Sequence, residues 1–334
     1  MKPVVALSTC WNSHRHQDGY AMLQEIAGLG FKWVELSHGV RIILVPGILK
    51  AVEEGLIKVA SCHNFCPLPT GVIHAAPNLY LPSSRDPRER EQWLRHTRRT
   101  IDFARQVRAA KVVLHLGAVE FFWFNPARPV RRYRLENPQA DLAHDPAYRK
   151  LLARALEKLR ARMPVYWEHT RATLDELRPH ADQQGVLLGC ENREKFEELP
   201  LDADSAAFVS ALPDTSAGYW HDTGHAAIKE RLGLLNHREH LAANAARLIG
   251  FHLHDVNAEG YDHQAVDNEL YEAAVGRGEW AFAMTSVVRH LHPIYPHRGR
   301  NRTPMDGTYR RGMSKGKEDM QLFKARLEQW RSAL

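Results

Sequence analysis

Short apolar segments rich in β-branched residues recur along the sequence, and longer helical patterns separate them. Such segments are apolar throughout, which is typical of parallel strands covered by helices. Eight of them predict an α/β fold, a (β/α)8 TIM barrel with the helices outside. The predicted strands are VVALS (4–8), WVELS (33–37), KVASCH (58–63), KVVLHL (111–116), VLLGCE (186–191), GYWHD (218–222), GFHLHD (250–255) and PIYPH (293–297).

A doubly wound parallel sheet is the alternative arrangement of alternating strands and helices. Its dinucleotide-binding form has a glycine-rich GxGxxG turn after the first strand. The chain continues there as TCWNSHRHQDG, without that turn, and the barrel is therefore favoured. A chain of 334 residues is long enough for one barrel, which we place at residues 1–300.

Two segments depart from the alternation of strands and helices. Residues 119–165 are too long for a loop and one helix, and they contain the aromatic run FFWF at 121–124. They predict an insertion after the fourth strand that acts as a lid, as a subunit contact in a homo-oligomer, or as a layer packed on the barrel. Residues 301–334 predict a basic C-terminal segment with a helix.

The charge distribution argues against a nucleic-acid partner. Residues 297–334 contain ten Lys or Arg and four Asp or Glu, which accounts for the whole net charge of +6. A protein that grips nucleic acid spreads positive charge around its binding groove, whereas this barrel is close to neutral. A solvated surface helix preceded by a basic loop is the favoured interpretation of the C-terminal segment.

The sequence favours a cytoplasmic protein. No apolar run approaches the roughly 18 residues that a membrane span needs. The N-terminal residues enter a strand-like pattern without a secretory signal. The four cysteines, at 10, 62, 66 and 190, are too few and scattered for a disulfide framework, and we expect reduced, packed thiols. The CxxxC spacing of Cys62 and Cys66 is at most half of a zinc site.

Side chains that bind metals or transfer protons concentrate at the carboxyl ends of the predicted strands. Those ends line one shared mouth in a barrel. A single histidine or aspartate there is more often a hydrogen-bonded structural residue or a helix N-cap. When many such residues are buried together, each polar group needs a partner. One shared divalent cation would be a partner for all of them. The residues are His63, Asn64, His115, Glu191, Asp222, His225, His252, His254 and Asp255.

The motifs around these residues resemble the xylose isomerase-like TIM-barrel superfamily. That superfamily includes sugar-phosphate isomerases and epimerases, inosose dehydratases and endonuclease IV-type enzymes. The resemblance extends over most of residues 1–280, and WHDTGH followed by FHLHD after a strand ending in glutamate is its most specific part. The segments that carry it are WVELSHG, ASCHNFCP, VVLHLG, CENRE, WHDTGH and FHLHDVN.

The resemblance implies a metal and catalytic set. Glu191 matches a metal-binding glutamate that also serves as the acid/base in epimerases. Asp222 and His252 match the metal aspartate and histidine. His225 matches a histidine that contacts the substrate or a second metal, and we expect it to be catalytic. Carboxylates with one or two imidazoles suit Mn²⁺, Co²⁺, Fe²⁺, Mg²⁺ or Zn²⁺.

The resemblance also implies substrate contacts. Arg193 lies where relatives often hold a substrate oxygen or phosphate. His63 and His115 match positions that bind extra zinc ions in endonuclease IV-type members and line the sugar pocket elsewhere. Asn64 and His254 complete the predicted substrate-binding set.

The sequence departs from the family pattern at the last strand. Relatives supply a second glutamate there, which is both a metal ligand and a proton-transfer partner. The corresponding stretch here, HPIYPHRGRN, has no acid. His297 is the nearest substitute by spacing and is the predicted fourth metal ligand. A two-base epimerisation that depends on paired glutamates is therefore in doubt.

These features predict a divalent-metal-dependent isomerase or epimerase in carbohydrate metabolism. Its partner would be a small carbohydrate (a sugar, a sugar phosphate or a cyclitol) that reacts through an enediolate, with Glu191 moving the proton. Three alternatives stay open. They are a dehydratase or lyase on a similar substrate, an endonuclease IV-like phosphodiesterase with several metal ions, and a barrel that binds a metabolite without turning it over.

Overall fold

The computed structural model describes residues 4–253, except 122, 138 and 139, together with the backbone of 287–289. Within these residues, eight parallel strands follow one another in chain order around a closed barrel, and the eighth pairs with the first. The predicted α/β barrel of parallel strands is confirmed. The strands are β1 (Val5–Ser8), β2 (Trp33–Leu36), β3 (Lys58–His63), β4 (Lys111–Leu114), β5 (Leu187–Glu191), β6 (Ala217–Asp222), β7 (Leu248–His252) and β8 (Val287–Arg289).

The closing strand differs from the predicted one. Its run is Val287–Arg289, which pairs with β1 and β7, whereas PIYPH at 293–297 is the predicted strand and lies outside the described residues. The two prolines of PIYPH have no N–H to donate to a ladder, which is a reason to distrust that segment as a strand. The predicted ligand His297 also lies outside the described residues.

Helices connect the strands and cover the outside of the barrel. Local sequence explains where they begin and end. The helix that follows β3 starts at Pro87, and the Asp86 side chain accepts a hydrogen bond from the Arg88 N–H. The α-helices are α1 (Gly19–Gly28), α2 (Val45–Glu53), α3 (Pro87–Gln106), α4 (Ala127–Glu136), α5 (Pro146–Gln184), α6 (Ser205–Ala211), α7 (Thr223–Arg231) and α8 (His237–Asn244).

Residues 119–165, the predicted insertion, form α4 and the first part of α5. Helix α5 continues without a break to Gln184, where Gly185 ends it in the left-handed conformation. The aromatic run at 121–124 is not packed as a unit. Phe121 packs against the apolar cluster between α4 and α5, whereas Trp123 and Phe124 are 80% and 90% exposed. The predicted basic segment 301–334 lies outside the described residues.

Trp220 fills the barrel interior below the mouth. It is fully buried and packs against small and medium side chains of the other strands, Ala6, Ala60 and Val113. Glycines on the two neighbouring strands make room for the indole, since a Cβ at Gly250 would lie 2.2 Å from its Cζ3. The barrel interior directly below the side chains at the strand ends is therefore filled by a packed indole. None of the helices within the described residues is both long and apolar enough to cross a membrane.

Candidate functional site

Four strands place chemically capable side chains on one rim of the barrel. His63 ends β3, Glu191 ends β5, Asp222 ends β6 and His252 ends β7. Because all strands are parallel, their carboxyl ends lie at the same end of the barrel. All four residues are buried, with at most 2% of their surface exposed. The structure thus brings together residues that are far apart in the sequence.

Glu191 lies at the centre of the cluster. Its Oε1 is 2.8 Å from His252 Nδ1 and 3.7 Å from His225 Nδ1. Its Oε2 is 2.9 Å from His115 Nε2 and 3.4 Å from His63 Nε2. Burial alone would raise the pKa of Glu191, but His252, His115 and His63 together hold that pKa well below its usual range. Glu191 is therefore an ionised carboxylate.

Asp222 has two roles at the junction of β6 and α7. Its Oδ1 accepts a hydrogen bond of 2.7 Å from the His225 backbone N–H, so it is the N-cap of α7. Its Oδ2 lies 3.5 Å from His252 Nδ1. The helix-cap interpretation and the metal-ligand prediction are thus compatible, because one carboxylate oxygen serves each purpose.

Asn192 is a supporting residue that the sequence prediction missed. Its side chain pairs with the backbone of Asp222 in both directions, accepting from the N–H at 2.6 Å and donating to the carbonyl at 2.9 Å. Its own carbonyl lies 2.9 Å from His225 Nδ1. A carbonyl only accepts hydrogen bonds, so Nδ1 of His225 carries the proton and Nε2 is the basic nitrogen.

His115 and Arg193 form a second side of the cluster. Arg193 NH1 lies 2.8 Å from His115 Nε2, and Asn78 Oδ1 lies 2.7 Å from His115 Nδ1. Burial and the Arg193 charge lower the pKa of His115 to about 3, so the ring is neutral. Arg193 is itself paired with buried Glu198, at 3.2 Å, which fixes the guanidinium beside Glu191.

The other predicted substrate residues are placed differently. His63 donates from Nδ1 to the carbonyl of Asn64 at 3.0 Å, with Nε2 towards Glu191. The Asn64 side chain donates to Thr97 of α3 at 2.9 Å, and its substrate contact stays a prediction. His254 and His297 lie outside the described residues.

Glu35 is the second residue that the sequence prediction missed. It lies near the end of β2 and is 0% exposed. Its Oε2 is 3.2 Å from His252 Nε2 and accepts a hydrogen bond of 2.8 Å from Ser61 Oγ. Burial opposes a charge on His252, but Glu35 and Glu191 raise the pKa of that imidazole well above its usual value. The sequence feature that could have found Glu35 is a carboxylate flanked by apolar residues in WVELS.

The clustered side chains fit a divalent cation. One set of potential ligand atoms belongs to Glu191, Asp222 and His225, and another to His63, Glu191 and His252, with the atoms of each set within 4.8 Å of one another. Every one of these residues is buried. Carboxylate oxygens mixed with imidazole nitrogens suit the first-row divalent metals. A cation among them would offset the negative charges that burial makes costly.

Comparison with known proteins supports the fold. A family model described as xylose isomerase-like TIM barrel matches residues 23–296, whereas no curated protein sequence matches significantly. An L-ribulose 3-epimerase structure has a TM-score of 0.59 at 15% identity and covers 98% of each chain. A D-psicose 3-epimerase structure from Clostridium cellulolyticum H10 has a TM-score of 0.59 at 13% sequence identity, and the match covers 97% of this chain and 99% of that one. A 3-keto-D-glucoside 4-epimerase structure from E. coli has a TM-score of 0.57 at 14% sequence identity, and the match covers 94% of this chain and 98% of that one.

Proposed function

Because the chain belongs to the xylose isomerase-like TIM-barrel family, we propose that it is a divalent-metal-dependent isomerase or epimerase. Its substrate would be a sugar, a sugar phosphate or a cyclitol. The main support is that Glu191, Asp222 and His252 converge. Carboxylate oxygens of Glu191 and Asp222 both lie 3.5 Å or less from Nδ1 of His252. The similar structures named above are sugar epimerases, which favours a carbohydrate substrate.

Glu191, Asp222 and His252 would hold the cation, with His63 as a further ligand. When bound, the cation would polarise a substrate carbonyl and make the neighbouring C–H more acidic. The protein side chains would then move the proton and bind the oxygens.

Glu191 and His225 are the proposed proton carriers. Glu191 is ionised and can accept a proton. His225 presents Nε2 as a base, because its Nδ1 proton is held by the Asn192 carbonyl. Arg193 would stabilise an enediolate oxygen, since Glu198 fixes its guanidinium next to Glu191. A carboxylate and an imidazole would then do the proton transfers for which relatives use two glutamates.

Deuterium exchange tests the proposal without knowledge of the product. The metal-free protein is supplied with Mn²⁺, Co²⁺, Zn²⁺, Mg²⁺ or Fe²⁺ in D₂O and incubated with a panel of ketoses, inososes and their phosphates. Proton NMR should show metal-dependent loss of the signal of one C–H beside a carbonyl. Folded protein that exchanges no such proton with any metal would contradict the proposal.

A matched pair of variants assigns the exchange to the site. Glu191→Gln removes the central carboxylate and should lower the exchange rate about 100-fold or more. Asp202→Asn is the control, because Asp202 is an acid with only 10% of its side chain exposed that pairs with Lys229 at 2.8 Å and does not belong to the clustered ligands. Equal activity of the two variants would show that the chemistry occurs elsewhere.

One observation favours a second candidate, a phosphodiesterase with several metal ions. Three imidazoles, from His63, His115 and His225, face the Glu191 carboxylate in addition to His252, which is more than one ion requires. Metal analysis of the purified protein separates the two. About one ion per chain supports the isomerase, and about three per chain, together with cleavage of abasic DNA, supports the phosphodiesterase.

A further inference from the structure

Glu35 is a fully buried carboxylate for which the proposed chemistry has no use. Leaving such a charge without partners is costly. The strands on either side of β2 supply two partners. Ser8 of β1 donates to Oε1 at 3.3 Å, and Ser61 of β3 donates to Oε2 at 2.8 Å. The carboxylate is therefore held in one orientation by both of its neighbouring strands.

The third partner is His252, which ends β7 on another part of the barrel wall. Its Nε2 lies 3.2 Å from Glu35 Oε2. Its Nδ1 faces the opposite way, 2.8 Å from Glu191 and 3.5 Å from Asp222. One nitrogen of the ring thus faces Glu35, and the other faces Glu191 and Asp222. Neighbouring rings fix the plane, because Trp220 lies edge-on at 5.2 Å and His63 is stacked at 5.6 Å.

These contacts indicate which nitrogen a cation would bind. Carboxylates accept hydrogen bonds, so in the metal-free ring Nε2 carries a proton towards Glu35 and Nδ1 carries one towards Glu191. A cation held by Glu191 and Asp222 would take the place of the Nδ1 proton, whereas Nε2 would keep its proton towards Glu35. A carboxylate behind a ligand histidine also makes its other nitrogen a stronger donor.

We propose that Glu35 is a positioning residue that holds His252 as the Nε2–H tautomer, with Nδ1 directed at the cation between Glu191 and Asp222. The inference rests on the metal dependence proposed above and adds a residue that supports it. A merely structural Glu35 would stabilise the strands equally well whichever nitrogen of His252 carried the proton. The two roles therefore differ in metal affinity and in tautomer.

Calorimetric titration of the metal-free protein with Mn²⁺ alone tests the first difference. Glu35→Ala removes both the charge and the acceptor, and we expect Mn²⁺ to bind about 100-fold more weakly. Glu35→Gln keeps an acceptor of the same shape but no charge, and the expected loss is about 10-fold. Asp202→Asn, the same acid-to-amide control, should bind Mn²⁺ like the wild type. Circular dichroism establishes that each variant is folded.

Nitrogen-15 NMR of the imidazoles in the Zn²⁺-loaded protein tests the second difference. The wild type should show His252 with a protonated Nε2 and a metal-bound Nδ1, and Glu35→Ala should show a mixture of ring states. If Glu35→Ala does not fold, Glu35→Gln and Ser61→Ala decide. Ser61→Ala removes the hydroxyl that orients Oε2 and should weaken Mn²⁺ binding several-fold.

The outcomes separate this inference from the proposed function. If the wild type binds Mn²⁺ and the Glu35 variants bind it within about twofold, with the same tautomer, the role of Glu35 is overturned and the metal-dependent function stands. An ion located between Glu35 and His252 Nε2 by anomalous scattering would overturn the role as well. A wild type that binds none of the divalent metals would overturn both.

Discussion

Trp220 packs directly against the backbone of Gly250 on β7, so replacing Gly250 by alanine tests whether the indole requires a glycine there. A Cβ at residue 250 would lie 2.2 Å from Trp220 Cζ3 and 2.5 Å from both Cε3 and Cη2. Ordinary carbon–carbon contacts are about 3.5–4.0 Å, so in Gly250→Ala the indole must move by more than 1 Å. Gly189 on β5 also lies against the ring, since a Cβ there would be 3.1 Å from Trp220 Cε3.

The expected cost is at the upper end of the range for overpacked cores, about 3 kcal/mol of unfolding free energy. We choose the upper end because Trp220 is fully enclosed. For a domain of this size that loss lowers the melting temperature by roughly 4–6 °C. His252 follows two residues later on the same strand, and its ring rests against the indole. Mn²⁺ affinity should therefore fall together with stability.

Urea unfolding followed by circular dichroism measures the free-energy change. Gly28→Ala is the matched control, because it adds the same methyl group at the end of α1, where nothing lies within 4 Å. That control should be neutral or stabilising by up to about 1 kcal/mol. A Gly250→Ala protein within about 0.5 kcal/mol of the wild type would refute the idea that Trp220 requires a glycine there.

Three further predictions concern the supporting residues and the cation. Burial lowers the pKa of His221, His237 and His240. Below a pH of about 6.5 the unfolded chain therefore takes up protons that the folded protein does not. As the pH falls through this range, the unfolding free energy should decrease by up to about 1.4 kcal/mol per pH unit for each group. His237→Gln should flatten this dependence in urea titrations between pH 7.5 and 5.5, and an unchanged slope would contradict the assignment. Asn192→Ala removes both bonds to the Asp222 backbone and should cost about 2–4 kcal/mol in the same unfolding assay. Asn125→Ala is the comparison, because it also removes two side-chain hydrogen bonds, but in the half-buried loop before α4. EDTA should lower the melting temperature of the Mn²⁺-saturated protein by an amount equivalent to about 2.7 kcal/mol at a hundredfold excess over Kd, and a scan that EDTA does not shift would argue against a resident cation.

The barrel and the residues of its rim could be predicted from sequence because both follow from periodic patterns. Parallel strands covered by helices are apolar throughout, so a polar residue at the end of such a strand stands out. His63, Glu191, Asp222 and His252 do so, and the structure places all four on one rim. The predicted closing strand is wrong because VVR at 287–289 is short, whereas PIYPH is longer but contains two prolines.

The residues that support the ligands are harder to predict, because their partners come from other strands. Glu35 precedes the last residue of β2, between Val34 and Leu36, which pack in the outer apolar core. Alternation along a strand requires Glu35 to face the barrel interior, where a carboxylate needs donors that the local sequence does not reveal. Ser8, Ser61 and His252 become its partners only when the barrel closes. A carboxylate flanked by apolar residues in a barrel strand therefore indicates a polar network inside the barrel, and its ligand partner should be sought among the histidines that end other strands.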